Sequence, residues 1–249
     1  MRLSWVWLFC GLLFWVLAAN LALAARVSDG VAKPTKKKTM KIYYVYDALC
    51  GWCYGFSPVI QAFATKHAAE VEIEVVSGCM VKGDRIGPIG EVAPYIAWAY
   101  KDVENASGVQ FGSNFLDITL KDGKAIFTSL PACLAMSAFK TLRPAEAVAF
   151  ASRLQKGVYW EGREPMDTAH YGTMAAEFGL NSAAFIAQMQ SPATLSLAQV
   201  DIALSNSMGV TGFPTVVAEV GGKRIAIARG FVDAKTLEAN YQKAAKMLK

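Results

Sequence analysis

Two cysteines stand between a predicted strand and a predicted helix, and this arrangement restricts the fold more than any other feature of the chain. The run MKIYYVYDA, residues 40–48, is rich in β-branched and aromatic residues, which is typical of a buried strand. Helical periodicity begins at or beside Cys50, and Pro58 lies inside this helix and is expected to kink it. VEIEVVSG, residues 71–78, predicts a second strand. The order strand, helix, strand is a β-α-β opening.

The remainder of the chain changes pattern twice. Residues 85–190 contain Ala-rich amphipathic stretches bounded by Pro, Gly, Ser, Asp or Asn, which predict four to six packed helices. A long helix follows, with Ser191 as its candidate N-cap and Gly209 at its C-terminal end. Two strands joined by a Gly-Gly turn come next, and a helix capped by Asp233 closes the chain. The chain is therefore predicted to be an α/β protein.

The N-terminal segment predicts export. Residues 1–24 contain one Arg and a long apolar run, and Ala22-Leu23-Ala24 fits the small-residue rule for signal peptide cleavage after Ala24. The alternative is an uncleaved membrane anchor, because Trp5–Ala25 is almost long enough to span a bilayer. Residues 25–39 are polar and basic and predict a flexible lead-in. We expect a periplasmic or secreted protein that contacts the membrane only if the segment is retained.

Charge and histidine content argue against two other classes of protein. The formal net charge is +5 over 249 residues, without an arginine-rich stripe, so no nucleic-acid partner is expected. The two histidines, His67 and His170, are far apart in sequence and lack metal-ligand spacing. We interpret them as solvated or locally hydrogen-bonded residues, and we expect no metal.

The spacing of Cys50 and Cys53 predicts a working redox pair. In an exported chain disulfides persist, and residues three apart in the first helical turn share one face at a separation that a disulfide allows. The positive end of the helix stabilises a thiolate placed there. We expect Cys50 to be the exposed nucleophile and Cys53 the shielded cysteine that resolves a mixed disulfide. A structural disulfide and half of a metal site are the alternatives; a zinc site would need two further ligands.

Four further residues are candidates for substrate binding. Gly51 is expected to leave room for a substrate chain beside Cys50, and Trp52 offers an aromatic contact for unfolded or apolar substrates. In GVTGFPTVV, Pro214 opens a core strand, which is unusual because proline donates no ladder hydrogen bond. A cis Phe213–Pro214 bond would leave the backbone N–H and C=O of Phe213 to pair with an extended peptide. An ordinary trans proline is the alternative.

Two stretches, YVYDALCGWCYGFSP and GVTGFPTVV, carry a family resemblance. Over residues 40–249 the chain resembles the DsbA-like members of the thioredoxin superfamily, in the FrnE-like branch. The resemblance implies a thioredoxin-like fold with a large all-helical insertion. Its core would comprise residues 40–84 and 191–249, and its insertion residues 85–190.

The same resemblance implies thiol–disulfide exchange with protein substrates and no organic cofactor. Cys50 would be the attacking cysteine, Cys53 the resolving one, and Pro214 a cis-proline facing them. The chain departs from the pattern at Tyr44, where many thioredoxin-like proteins place a buried acid six residues before the first cysteine. Asp47 is the nearest upstream acid; it is either a proton relay or a residue that solvates the loop or caps the helix.

Cys79 and Cys133 are the other cysteines of the predicted mature chain. Each is interpreted as a small buried residue, and a disulfide between them is the alternative. Cys10 lies in the signal peptide and is excluded from fold reasoning.

The sequence therefore predicts an exported protein disulfide oxidoreductase, acting as isomerase or oxidase, with a redox partner that recycles its cysteine pair. The Gly-Trp dipeptide favours isomerase or reductase over oxidase. One alternative is a chaperone-like module that binds unfolded chains in a groove lined by Trp52 and Phe213. Another is a glutathione-dependent enzyme acting on small molecules.

Overall fold

A computed structural model describes residues 40–248; the predicted signal peptide, the lead-in and Cys10 lie outside them. The main sheet has the strand order β2-β1-β5-β6. Its strands are β1 (Met40–Tyr46), β2 (Val71–Ser77), β5 (Thr215–Val220) and β6 (Lys223–Arg229). β1 pairs in parallel with β2 and antiparallel with β5, and β5 and β6 form an antiparallel hairpin. The Gly221 and Gly222 turn has φ values of 55° and 77°, which glycine adopts without steric cost.

Helices fill the remaining segments. The longer ones are α1 (Gly51–Lys66), α2 (Ala93–Ser107), α3 (Leu130–Leu142), α4 (Ala147–Tyr159), α5 (Thr168–Ala176), α6 (Ser182–Met189), α7 (Pro192–Ser207) and α8 (Ala234–Ala245). A π-helical turn at Asn114–Thr119 continues into Leu120–Asp122, and 3₁₀ turns occur at Gly83–Arg85, Ile89–Glu91, Pro144–Glu146 and Lys246–Leu248. Among residues 40–248 no helix is both long enough and apolar enough to cross a membrane.

Both faces of β1 are buried from Ile42 to Tyr46, which explains the unbroken apolar run there. Ile42 and Tyr44 share one core with Phe56 of α1. Tyr43 and Val45 point to the other face, where Leu204 of α7 packs against their cluster. The sheet is thus covered by helices on both sides, and the predicted α/β thioredoxin-like fold is confirmed.

The segment between β2 and α7 is mainly helical; part of it packs into the core of the sheet, and part forms a second core. Leu49 and Tyr54, from the loop and helix that carry the cysteines, pack there with Phe111. Two short strands, β3 (Gly87–Pro88) and β4 (Ile126–Phe127), pair antiparallel in this segment. The expectation of an all-helical insertion is wrong in this detail, because two-residue strands are too short to produce a periodic pattern.

Helix α1 continues through Pro58, which sits inside it. Proline has no N–H to donate to the carbonyl four residues earlier, so Tyr54 would lose its partner. The Ser57 hydroxyl donates to that carbonyl at 2.8 Å instead. The predicted caps are present: the backbone N–H of Thr194 donates to Ser191, and that of Thr236 donates to Asp233.

Candidate active site

The cysteine pair lies where the central strand ends and α1 begins. Cys50 is the N-cap of α1, with extended backbone angles (φ −98°, ψ 112°), and Cys53 lies within the first turn. The carbonyl of Cys50 accepts a hydrogen bond from Tyr54 N at 3.1 Å, which closes that turn. Both sulfurs therefore belong to the positive end of a 16-residue helix, where an anionic thiolate is stabilised.

Both thiols are free and buried. Cys50 is 7% exposed and Cys53 is 0% exposed. The prediction of an exposed Cys50 is therefore wrong in degree, although Cys50 is the more accessible of the two. The cover comes partly from the turn before β5, because the Cys50 Sγ donates to the carbonyl oxygen of Phe213 at 3.5 Å. A substrate sulfur can approach only where this turn leaves Cys50 uncovered.

The two sulfurs differ in their hold on a proton. Burial raises the pKa of the Cys53 thiol well above its usual value, and its hydrogen bond to Cys50 raises that pKa further. Cys53 therefore holds its proton more strongly than an ordinary thiol does. Cys50, as the N-cap, lies where the field of the helix N-terminus favours a thiolate. This asymmetry suits a first attack by Cys50 and a later attack by Cys53.

The turn that carries Phe213 and Pro214 adjoins the cysteine pair. The Phe213–Pro214 peptide bond is cis. Thr215, the first residue of β5, donates its hydroxyl to the Gly212 carbonyl at 2.8 Å, and the Pro214 carbonyl accepts from Gly230 N at 2.8 Å. The Phe213 carbonyl, expected to be free for an extended peptide, accepts the hydrogen bond from the Cys50 thiol instead. The chain thus brings Cys50 and this turn together across a long stretch of sequence.

Gly51 and Trp52, between the two cysteines, face different surroundings. A Cβ atom placed on Gly51 would lie 3.6 Å from the ring of Phe111 and 4.0 Å from Val103. The space beside Gly51 is therefore bordered by the helical segment, and the role of Gly51 in admitting a substrate chain stays a prediction. Trp52 is half-buried and packs 6.1 Å from the ring of Phe231, between centroids.

Asp47 is buried, with both carboxylate oxygens hydrogen-bonded. One oxygen accepts from Leu49 N at 2.8 Å and from the Ser129 hydroxyl at 3.0 Å, and the other accepts from Met80 N at 2.6 Å. Burial raises the pKa of Asp47, and these hydrogen bonds oppose that rise. The loop-solvating and helix-capping roles are wrong, because Asp47 instead joins three chain segments behind the cysteines. Its role as a proton relay stays a prediction.

Tyr44 and Gln155 are two buried polar residues that the cysteine motif does not indicate. Both are fully buried, and neither the Tyr44 hydroxyl nor the Gln155 amide makes a hydrogen bond of good geometry. Burial raises the pKa of Tyr44 well above its usual value, and the charges of Cys53 and its neighbours act in the same direction. Tyr44 was singled out in the sequence, but Gln155 gave no signal, because a lone Gln in an amphipathic helix is ordinary.

The histidines lie apart from the cysteines. His67 is the C-cap of α1, at the opposite end from Cys50, and its ring nitrogens contact Glu70 at 3.0 Å and Glu238 at 2.9 Å. Burial lowers the pKa of His170 to about 4. The interpretation of solvated histidines is wrong, because both are buried, and only His67 fits the locally hydrogen-bonded alternative. Within residues 40–248 no group of three or more His, Cys, Asp or Glu residues could hold a metal ion.

Two thiols lie at a helix N-terminus beside a cis-proline turn, and the family that the chain matches is consistent with this site. The model of the DSBA-like thioredoxin domain matches residues 41–242. The chain belongs to this family. Membership of the FrnE-like branch stays a prediction for this DSBA-like protein.

Solved structures similar to the DSBA-like protein include a cytosolic disulfide reductase, DsbM, from Pseudomonas aeruginosa. The identity is 27% and the TM-score 0.70, over 83% of this chain and 99% of that one. DsbM solved with GSH is similar at 25% identity with a TM-score of 0.68, over 83% and 98% of the two chains. A candidate protein disulfide isomerase from Nitrosomonas europaea shares the fold, at 20% identity with a TM-score of 0.74, over 85% and 100%.

A curated relative extends beyond the matched region. The ClpXP adapter protein SpxH from Shouchella clausii is 26% identical over 184 residues, which are 73% of this chain. The match spans 58% of the length of SpxH, so this chain corresponds to only part of that protein.

Proposed function

We propose that this DSBA-like protein is an exported thiol–disulfide oxidoreductase that exchanges disulfides with protein substrates. The observation that carries the proposal is the asymmetric thiol pair at the start of α1. Cys53 is fully buried in the first turn of the helix, whereas Cys50 is its N-cap, is slightly exposed and donates its Sγ hydrogen to the Phe213 carbonyl at 3.5 Å. A purely structural pair has no need of a helix N-terminus that stabilises a thiolate.

The exchange needs no cofactor, because the electrons pass only between the cysteine sulfurs of the protein and those of the substrate. With the pair reduced, the Cys50 thiolate attacks one sulfur of a substrate disulfide, and the other substrate sulfur leaves as a thiolate that takes up a proton. Cys53, once deprotonated, attacks the Cys50 sulfur and releases the second substrate thiolate. The substrate gains two electrons, and the Cys50–Cys53 disulfide forms. The reverse sequence oxidises a substrate dithiol.

The protein acts as an isomerase or an oxidase in this proposal, and a redox partner returns the pair to its working state. An isomerase uses the first step and then the reverse of that step at another substrate sulfur. Trp52, two residues after Cys50, and Phe213, whose carbonyl contacts Cys50, would supply apolar contact area for an unfolded segment.

Export is part of the proposal. An oxidising compartment keeps the pair available as a disulfide donor, and the Ala22-Leu23-Ala24 site supports cleavage after Ala24. N-terminal sequencing of the protein purified from its natural compartment tests this point. We expect a first residue of Ala25; an intact N-terminus in a cytosolic fraction contradicts export.

A glutathione-coupled reductase is the second candidate. The P. aeruginosa relative is a cytosolic disulfide reductase solved with GSH, and its identity to this chain reaches 27%. In that case reduced glutathione would return the Cys50–Cys53 disulfide to the dithiol. Turnover with glutathione as the only reductant would support this candidate over the first.

Trapping of substrates tests the assigned order of attack. In the Cys53→Ala variant the mixed disulfide on Cys50 cannot be resolved, so a disulfide-bonded protein substrate should remain covalently attached. The Cys50→Ala variant is the matched control and should trap none. Equal trapping by both variants, or by neither, contradicts the assignment. The chaperone-like alternative is tested with Cys50→Ser. It is favoured if this variant still prevents the aggregation of an unfolded protein and no variant traps substrate.

A further inference from the structure

Cys79 and Cys133 meet at the junction between the sheet and the helical segment. Cys79 lies just beyond the end of β2, and Cys133 lies in the first turns of α3. They are 2% and 3% exposed and form a small core cluster with Ala198 of α7. Both thiols are free, and the two side chains pack together in this cluster. Two cysteine side chains that already pack together need little movement to become a disulfide.

The backbone at Cys79 holds an unusual conformation. Its φ angle of 53° makes it the one non-glycine residue with positive φ among residues 40–248. A left-handed conformation is uncommon for a residue with a Cβ atom and is maintained only where the surrounding structure enforces it. Here it accompanies the contact between the Cys79 thiol and α3.

The first link from this pair to the active site runs through Gly78. A Cβ atom placed on Gly78 would lie 2.1 Å from the ring of Phe213, so that ring rests directly on the Gly78 backbone. The carbonyl of Phe213 accepts the hydrogen bond from Cys50. A change in the position of the Cys79 loop therefore reaches the group that contacts Cys50.

The second link runs through Asp47. Met80 N, next to Cys79, donates to one Asp47 oxygen, and the Ser129 hydroxyl donates to the other. Ser129 begins the chain segment that leads into α3, and its carbonyl accepts from Cys133 N at 3.0 Å. The neighbours of both cysteines thus share one carboxylate, three residues before Cys50.

We propose that Cys79 and Cys133 are a second redox pair, which closes to a disulfide and shifts the redox equilibrium of the Cys50–Cys53 pair. Closure ties the loop after β2 to α3 and fixes the two contacts that lead to Cys50. The existence of the second disulfide is independent of the function proposed above; the coupling between the pairs rests on that function.

The oxidant of the Cys79–Cys133 pair is a small-molecule disulfide of the glutathione disulfide type. The Cys79 thiolate attacks one sulfur of glutathione disulfide, the sulfur–sulfur bond breaks, and one glutathione leaves with a proton. Cys133 loses its proton and attacks the Cys79 sulfur, which releases the second glutathione. Two electrons pass from the cysteine pair to the two glutathiones. The hydrogen bond from Cys133 lowers the pKa of Cys79, and the same bond raises the pKa of Cys133, so Cys79 is the first to attack.

The test begins with the chain lacking residues 1–24, reduced, unfolded and then refolded in a series of glutathione redox buffers. Refolding in each buffer exposes the thiols to glutathione before they are buried. Free thiols are blocked, and disulfide-linked peptides are identified by mass spectrometry. We expect a linked peptide pair containing Cys79 and Cys133 in the wild-type chain. Free thiols at both positions in the most oxidising buffer would overturn the proposal.

Two variants separate the pairs. Cys50→Ala/Cys53→Ala reports the second pair alone, whether or not the first pair cycles, and Cys79→Ala/Cys133→Ala reports the first pair alone. Independent pairs would give a wild-type titration equal to the sum of the two variant titrations. Coupled pairs should move the equilibrium constant of the first pair by at least about 5-fold in the wild-type chain. A second disulfide with additive titrations would overturn the coupling and leave a structural link.

Discussion

The contact between Gly78 and Phe213 supports a direct prediction for Gly78→Ala. The new methyl group would lie 2.1 Å from two atoms of the Phe213 ring, well inside the van der Waals distance. The ring belongs to the residue whose carbonyl contacts Cys50, so a displacement of the ring that moves its backbone also moves that carbonyl. Overpacking of this kind costs about 1–3 kcal/mol. We expect a loss of that size in the free energy of unfolding and slower thiol exchange through Cys50.

Gly212→Ala is the matched control in the same turn. A Cβ atom placed there meets nothing within 4 Å, and the φ of Gly212 lies outside the left-handed region. The control should change the free energy of unfolding by less than about 0.5 kcal/mol and leave exchange unchanged. Denaturant unfolding monitored by tryptophan fluorescence gives the stability, and reaction of the reduced protein with a disulfide-bonded peptide gives the rate. If Gly78→Ala matched Gly212→Ala in both, the inferred link from the loop after β2 to Cys50 would be refuted.

Three further changes test other parts of the structure. Tyr44→Phe removes a buried hydroxyl that lacks a hydrogen-bond partner, so it should stabilise the protein by about 1 kcal/mol in thermal or denaturant unfolding; a marked loss would mean that the hydroxyl is satisfied. Asp47→Asn leaves Met80 N without a proper acceptor, which costs about 1–3 kcal/mol. Burial raises the pKa of Asp47, so the wild-type chain loses stability as pH rises from about 4 through that raised pKa. The difference in the free energy of unfolding between wild type and Asp47→Asn should therefore shrink with rising pH. A difference that stays constant with pH contradicts this. Lys140→Met removes the partner 2.7 Å from the buried Asp201 carboxylate and should cost about 3–5 kcal/mol at neutral pH, and less in acid where Asp201 is protonated; no loss would show that the pair is dispensable.

Local patterns in the sequence were sufficient to place the sheet, the main helices and the cysteine pair. The strand at residues 40–46 has an apolar run long enough to identify, and the caps at Ser191 and Asp233 are marked by side chains that act on their own helices. The turn at Pro214 could be singled out because proline is unusual at the start of a core strand.

Contacts between segments that are distant in sequence could not be predicted in the same way. The burial of Cys50 depends on Phe213, and the role of Asp47 depends on Met80 and Ser129, none of which is marked by local periodicity. The short ladder at residues 87–88 and 126–127 was not predicted because each of its strands has only two residues, too few to give a periodic pattern. A pattern shows which face of an element is apolar, but it does not show which distant residue covers that face.

The central claim is that Cys50 and Cys53 cycle between thiol and disulfide, and their reduction potential tests it most directly. The Cys79→Ala/Cys133→Ala chain, lacking residues 1–24, leaves these two as its cysteines and is equilibrated with glutathione buffers before the free thiols are counted. The proposed isomerase or oxidase requires a potential of about −120 to −180 mV, and a value near about −270 mV would favour the reductase instead. A potential below about −300 mV, with the pair resistant to reduction, would make it a structural disulfide and contradict the account.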